Sequence, residues 1–285
     1  MTIRDESDRK EQFPRSNDVP RQSPIFWVTQ KDRYLRQLLI RDIQEITGRS
    51  LLVYFANRFE LGSEISHSDL PFIVEIFGDI GGTPVDLLIE TNGGSTDATD
   101  SIISYIKNSS RDLRVIIANC AKSNGTLIAL SGKSVVMGPT SELGPIEPSV
   151  QNIPCTILEK PEIAHQNFAL HMYGKYALAQ TKGLATKLLR EGMMAGKSQQ
   201  EIESAVSEMS SRDTYPSHGS SIDHREAARL GLKVDFLAEE SELWKRIWLL
   251  HCIYDHDCRK SKYLKVFEGQ YRSTAVAITN QATTL

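Results

Sequence analysis

Four short apolar runs, separated by stretches with helical periodicity, constrain this chain more than any other feature of its sequence. Residues 51–55 (LLVYF), 85–90 (VDLLIE), 113–118 (LRVIIA) and 134–137 (SVVM) are too short for helices and almost continuously apolar. That is the pattern of strands covered on both faces. Between them, residues 67–80 have helical spacing with Ser66 or Ser68 as a cap. Residues 95–107 place Ala98, Ile102, Tyr105 and Ile106 on one face, and residues 125–130 make a short helix. Strands and helices alternating over short connections give parallel βα units, which cross over right-handed and leave loops at the carboxyl ends of the strands. The expected fold class is α/β with a parallel core sheet, and its chemistry is expected in those loops.

The flanking sequence reads differently. Residues 1–24 are polar with three prolines and are expected to form a disordered arm. Leu38, Leu39, Ile43 and Ile46 mark an amphipathic helix that leads into the first strand. Beyond Gly138 a proline-containing rigid stretch follows. Residues 163–209 are mostly helical, broken around Gly192 and Gly196. A short helix over 221–230, a strand over 233–236 and a terminal helix over 240–254 complete the pattern, with fraying from Thr274. The division is 1–24 arm, 25–238 main domain, 239–285 C-terminal helix and tail.

Composition removes several classes of function. Lys and Arg number 33 against 36 Asp and Glu, a net charge of −3, which argues against a general electrostatic nucleic-acid binder. No apolar run is long enough to span a bilayer. The first residues, MTIRDESDRKEQ, lack the apolar segment of a secretory signal, so a cytoplasmic protein is expected. The four cysteines contain no CxxC pair. Cys252 and Cys258 lie beside His251 and His256, in a spacing that matches no zinc pattern; no metal or cofactor is expected.

Two strand-end loops carry candidate chemistry. In the first, Glu90-Thr91-Asn92-Gly93-Gly94-Ser95, a strand gives way to two glycines and a helix start. Bare N–H groups there would form a cradle for an anion or a developing oxyanion. A tight turn without a ligand explains the same residues. In the second, Lys122-Ser123-Asn124-Gly125-Thr126, a small hydroxyl residue sits where a strand turns into a helix. That is the logic of a nucleophile elbow, although a helix N-cap explains Ser123 as well. Successive crossovers bring both loops to one sheet edge, so that Ser123 would face the glycine amides.

TNGG, KSNGTLIALSG and VVMGPTSELGPIEP, followed by Tyr215-Pro216-Ser217-His218-Gly219 and EAARLGL, resemble the serine dehydrogenase proteinase family, a branch of the Clp-protease/crotonase superfamily to which signal peptide peptidase A is more distantly related. The likeness spans residues 50 to 236. It implies ββα-type units around a parallel core sheet, followed by helices, and a serine peptidase acting on peptides or unfolded protein as a homo-oligomer. On the family pattern the nucleophile falls on Ser123, with oxyanion donors from Asn124 and from Gly93 or Gly94. Two residues depart from it: Asn92 replaces a proline, and Asn124 an alanine or glycine. Neither change removes a backbone N–H.

The resemblance leaves the general base open. Clp proteases carry a histidine just after the GPxxxP-like turn, and residues 141–150 contain none. Signal peptide peptidases place a lysine on a later helix, where Lys175 or, seven residues on, Lys182 would serve. A lysine acts as a base only where burial lowers its pKa. His218, with Asp213 as orienter, is the third candidate. Lys175 is the residue expected to act. Beside the peptidase stand two other readings of these residues: a crotonase-like acyl-thioester enzyme, and an inactive family member serving as an assembly module.

Overall fold

The computed structural model describes residues 23–278 except 79 and 81; the expected arm lies outside the described residues up to residue 22. A short helix α1 (Pro24–Thr29) and the longer α2 (Lys31–Thr47) lead into β1 (Ser50–Ala56). The single helix expected over 67–80 is divided into a 3-10 turn (His67–Asp69) and α3 (Leu70–Phe77). Pro71 sits in the first turn of α3, where its missing N–H leaves no intrahelical bond unmade. Then follow β2 (Val85–Thr91), α4 (Thr96–Ser109), β3 (Leu113–Ala121), α5 (Asn124–Leu130) and β4 (Ser134–Met137).

Past the irregular stretch come β5 (Glu142–Leu143) and a small hairpin, β6 (Ser149–Val150) with β7 (Ile153–Pro154). The helices α6 (Cys155–Leu158), α7 (Pro161–Gln166), α8 (Phe168–Glu191), α9 (Gln199–Met209) and α10 (His224–Arg229) precede β8 (Val234–Phe236). The chain ends in α11 (Glu242–Ser261), β9 (Tyr263–Glu268) and β10 (Ser273–Ala277).

The main sheet runs β10-β9-β1-β2-β3-β4-β8, with β5 pairing the end of β3. β1, β2, β3, β4 and β8 are parallel to their neighbours, while β9 and β10 add antiparallel at the β1 edge. Both faces are covered, as the apolar strands require. Leu52, Tyr54, Leu87, Ile89, Val115 and Ile117 face α3, α4, α5, α8 and α9. Residues of opposite parity, Leu51, Val53, Phe55, Leu88 and Ile116, meet Leu39, Ile40 and Ile43 of α2 and Trp244, Ile247, Leu250 and Tyr254 of α11.

The C-terminal segment set apart by the sequence reading is therefore built into this core. Arg36 of α2 bonds Asp257 of α11 and, at 2.7 Å, Glu268 of β9, and Tyr254 donates to the same Glu268. The fraying expected from Thr274 is replaced by β10, paired with β9 through Ala277. Among the described residues no helix is long and apolar enough to cross a membrane.

Candidate active site at the carboxyl edge of the sheet

The elbow at the end of β3 has the backbone strain that its role would require. Ser123 adopts φ 52° and ψ −121°, a region that L-residues avoid at a cost of about 1–3 kcal/mol. Its own helix holds it there. The Gly125 N–H donates to the Lys122 carbonyl at 2.7 Å, and the Thr126 and Leu127 N–H groups donate to the Ser123 carbonyl. Lys122 and Asn124 on either side are buried, while Ser123 itself is half-buried.

The glycine loop lies against this elbow. A Cβ on Gly93 would come 2.7 Å from Ser123 Cβ and 2.9 Å from the Lys122 carbonyl oxygen, so no side chain fits at 93. Gly94 (φ 156°) is seated on the backbone of Ile65 in a one-residue bridge, which leaves no room for a Cβ. The Ile65 N–H donates to the Gly93 carbonyl at 2.8 Å, and the Ser95 N–H returns to the Ile65 carbonyl at 2.9 Å. The Lys122 N–H donates to the Thr91 carbonyl at 3.0 Å and joins the two loops directly.

These bonds set where the amides point. In a trans peptide the C=O and N–H are directed oppositely. Fixing the Gly93 carbonyl on Ile65 turns the Gly94 N–H away from Ile65. Fixing the Ser123 carbonyl into α5 turns the Asn124 N–H back out of the helix. Among the described residues neither N–H has a hydrogen-bond partner. The Gly93 N–H is already taken, by Thr91 Oγ1 at 3.0 Å. The structure thus brings Gly93, Gly94, Ser123 and Asn124 together, and among the described residues the N–H groups of Gly94, Ser123 and Asn124 are free to donate.

The two departures from the family pattern are both struts. Asn124 Nδ2 donates to the Gly94 carbonyl at 2.6 Å and to Thr96 Oγ1 at 3.3 Å, while its buried Oδ1 has no partner among the described residues. Asn92 Nδ2 donates to the Arg58 carbonyl at 2.9 Å. Sequence reasoning also missed Lys122. Its buried ammonium donates to the Leu143 carbonyl at 3.1 Å and the Ser220 carbonyl at 3.0 Å, and lies 3.1 Å from Glu142 Oε2. These three oxygens hold the end of its side chain in place. Its stem fills the space beside Gly144, where an added Cβ would lie 2.5 Å from Lys122 Cδ.

The base candidates are placed differently from one another. Lys175 is exposed on α8 and Lys182 is half-buried. They flank the stripe of Gly174, Leu178, Thr181 and Ala185 that packs inward. His218, also exposed, lies in the loop whose Ser220 carbonyl is held by Lys122. Partial desolvation lowers its pKa; nearby Glu147 opposes that shift, and Arg212 and Lys122 add to it. Its imidazole is therefore neutral near pH 7 and free to accept a proton. Asp213 is exposed, its N–H donating to Ser211 Oγ. Among the described residues no side chain is hydrogen-bonded to Ser123 Oγ.

A family model for ClpP-like SDH-type serine proteinases matches residues 76–266. Two uncharacterized proteins of Methanocaldococcus jannaschii are each 30% identical to this chain, over 159 and 114 residues. The first alignment covers 53% of this chain and 54% of the relative, the second 38% and 39%. The chain thus spans about half the length, or less, of these relatives. Among solved structures, a ClpP1 variant from Listeria monocytogenes aligns at 15% identity and a TM-score of 0.45, covering 70% of this chain and 98% of that one. The membrane-bound stomatin-specific protease 1510-N aligns at 18% identity and a TM-score of 0.43, covering 81% and 94%. With the family model covering most of the chain, this protein belongs to the ClpP-like SDH-type serine proteinase family.

Proposed function

We propose that the protein is a serine peptidase that hydrolyses peptide bonds through Ser123. The observation that carries this reading is the strained Ser123 elbow lying against the glycine loop, with the Gly94 and Asn124 N–H groups both unpartnered among the described residues. Ser123 Oγ attacks the carbonyl carbon and its proton passes to the base. The carbonyl oxygen becomes an oxyanion held by the two N–H groups. Collapse expels the amine, which takes the proton from the base, and water then releases the acyl group by the same steps in reverse order.

Between the base candidates, the geometry favours His218 over Lys175. His218 sits on a loop tethered to the residue before Ser123, and its imidazole is unprotonated near neutrality. Lys175 is exposed in the single chain, which lacks the burial that a lysine base needs.

The substrates are peptides or unfolded protein, and the working form is a homo-oligomer. The apolar residues of the second half of α8 and of the turn after it are mostly internal: Leu188, Leu189 and Met194 are in the core, with Leu184 and Met193 packed on it. Ala185, Leu188 and Leu189 of α8 belong to the core on this side of the sheet. What remains outside is Phe168 (69% exposed), Tyr173 (65%) and Tyr176 (64%) in the first half of α8. Aromatic surface of this kind supports self-association.

Hydrolysis of a quenched-fluorescence casein or peptide library by the wild type, Ser123→Ala, His218→Ala and Lys175→Ala tests the assignment. Activity lost in the Ser123 and His218 variants and kept in the Lys175 variant is expected. Loss in Lys175→Ala with an active His218→Ala would return the role to the lysine.

A further inference from the structure

Glu90 is buried under the sheet edge, on the face opposite α5, and takes no part in the chemistry described above. It is 1% exposed, yet its carboxylate touches both the segment after β1 and the end of β3. Arg58 Nε lies 2.6 Å from Oε1, and Asn119 Nδ2 donates to Oε1 at 3.1 Å. The Cys120 N–H donates to Oε2 at 3.0 Å, three residues before Ser123. Arg58 carries the connection onward, since its carbonyl receives Asn92 Nδ2 at 2.9 Å, immediately before the glycines. One carboxylate therefore ties the end of β3 to the oxyanion loop.

A second partner waits on α11. His251 Nδ1 is buried, has no hydrogen bond among the described residues, and lies 3.6 Å from Glu90 Oε2. Trp248 stacks on the imidazole at 5.0 Å and Phe55 tilts against it at 5.5 Å, holding the ring in place. The titratable and charged groups around Glu90 are Arg58 after β1, Cys120 on β3, and Asp255 and His251 on α11, with Arg259 acting on His251. Glu142 and Lys122 lie beyond Cys120.

We infer that Glu90 is a positioning residue of the Ser123 site. As a carboxylate it holds the Asn92–Gly94 loop through Arg58. On taking a proton from solvent it donates to His251 Nδ1 and slackens that tie. This rests on the peptidase reading only for its kinetic readout. The two forms exchange near neutrality, because burial pushes the Glu90 carboxyl up to about 7 against the pull of Arg58, the Cys120 N–H and Asn119. Burial also pushes His251 down to about 4, so its imidazole is neutral and able to accept. Cys120, pushed up to about 12, stays a thiol throughout.

The test is the pH profile of the rate at which a fluorophosphonate labels Ser123. Wild type should show an ionisation near pH 7, the value to which burial moves Glu90, besides that of the base. Glu90→Gln, fixed in the neutral form, should lose that inflection and react about tenfold more slowly at about pH 8, in the range set by small misplacements of a catalytic loop. A folded Glu90→Gln with the wild-type rate and inflection would overturn the inference. Should that variant not fold, Asn92→Ala cuts the tie beyond Arg58 with Glu90 and its partners intact, and should lose the same inflection; keeping it would be equally fatal.

If wild type is not labelled at all, the peptidase reading fails and Glu90 is judged by amide hydrogen exchange. After correction for intrinsic rates, protection of residues 91–95 should be greater at about pH 8 than at about pH 6. Equal protection at both would overturn the role on its own.

Discussion

Replacing Gly93 by alanine should damage stability and reactivity together, and both sizes follow from the geometry. The new Cβ would lie 2.7 Å from Ser123 Cβ and 2.9 Å from the Lys122 carbonyl oxygen. Carbon atoms in contact rest about 3.5–4.0 Å apart, so the loops must part by about 1 Å. Both neighbours are backbone or Cβ atoms and have no rotamer by which to retreat. The φ of 102° adds about 1–2 kcal/mol of strain for an L-residue, and overpacking adds about 1–3 kcal/mol. Urea unfolding should show a loss of about 2–5 kcal/mol, the sum of those two costs. Movement of the Gly94 N–H out of bonding distance should remove about 3 kcal/mol of transition-state stabilisation, a factor of about 10²–10³ in rate. Gly48→Ala is the control: its φ is 66° and nothing lies within 4 Å of the added Cβ, so it should cost stability alone. A folded Gly93→Ala labelled by a fluorophosphonate within about threefold of wild type would refute the placement of the oxyanion loop.

The remaining expectations concern the buried charges and the second donor loop. A Glu90 carboxyl that titrates at about 7 in the fold and 4.5 when free binds its proton more tightly in the native state, so its stabilising contribution is complete below pH 4.5 and is lost as pH rises through 7. Urea titrations should therefore show wild type losing about 3 kcal/mol over that interval relative to Glu90→Gln, and parallel pH dependences would contradict it. Lys265 of β9 bonds Asp69 at 2.7 and 2.9 Å and the Glu64 carbonyl at 2.7 Å, and Tyr54 donates to Asp69 at 2.7 Å. Lys265→Met leaves that carboxylate buried without its cation and should cost about 3–5 kcal/mol, largely recovered in the double variant with Asp69→Asn; a loss of less than about 1 kcal/mol would mean that Asp69 is solvated. Asn124→Ala keeps its backbone N–H but removes the strut to Gly94, and labelling should slow about tenfold with little change in unfolding; an unchanged rate would make the strut irrelevant to the site.

Much of the fold was legible because strands covered on both faces must be apolar throughout. Residues 85–90 and 113–118 announce themselves without any partner. β9 and β10 did not, because VFEGQYRSTAVA acquires its meaning only when β9 reaches the open edge of β1. The elbow and the glycine loop were readable from residue types at a strand end. Their order of use was not: Gly93 loses its N–H to Thr91 Oγ1, a local bond that a Thr-x-Gly spacing could have suggested. Asn92 and Asn124 read only as departures from the family pattern, since their partners, Arg58 and Gly94, are brought to them only by the sheet. Lys122 carried no signal of its own, because its role depends on the Ser220 carbonyl, far away in sequence.

The central claim is that Ser123 is a nucleophile activated within this edge of the sheet. Incubation with a fluorophosphonate, followed by intact-mass measurement and peptide mapping, tests it most directly. The account predicts one adduct per chain, located on Ser123 and absent from a folded Ser123→Ala. An unmodified wild type, or an adduct that persists in Ser123→Ala, would contradict it.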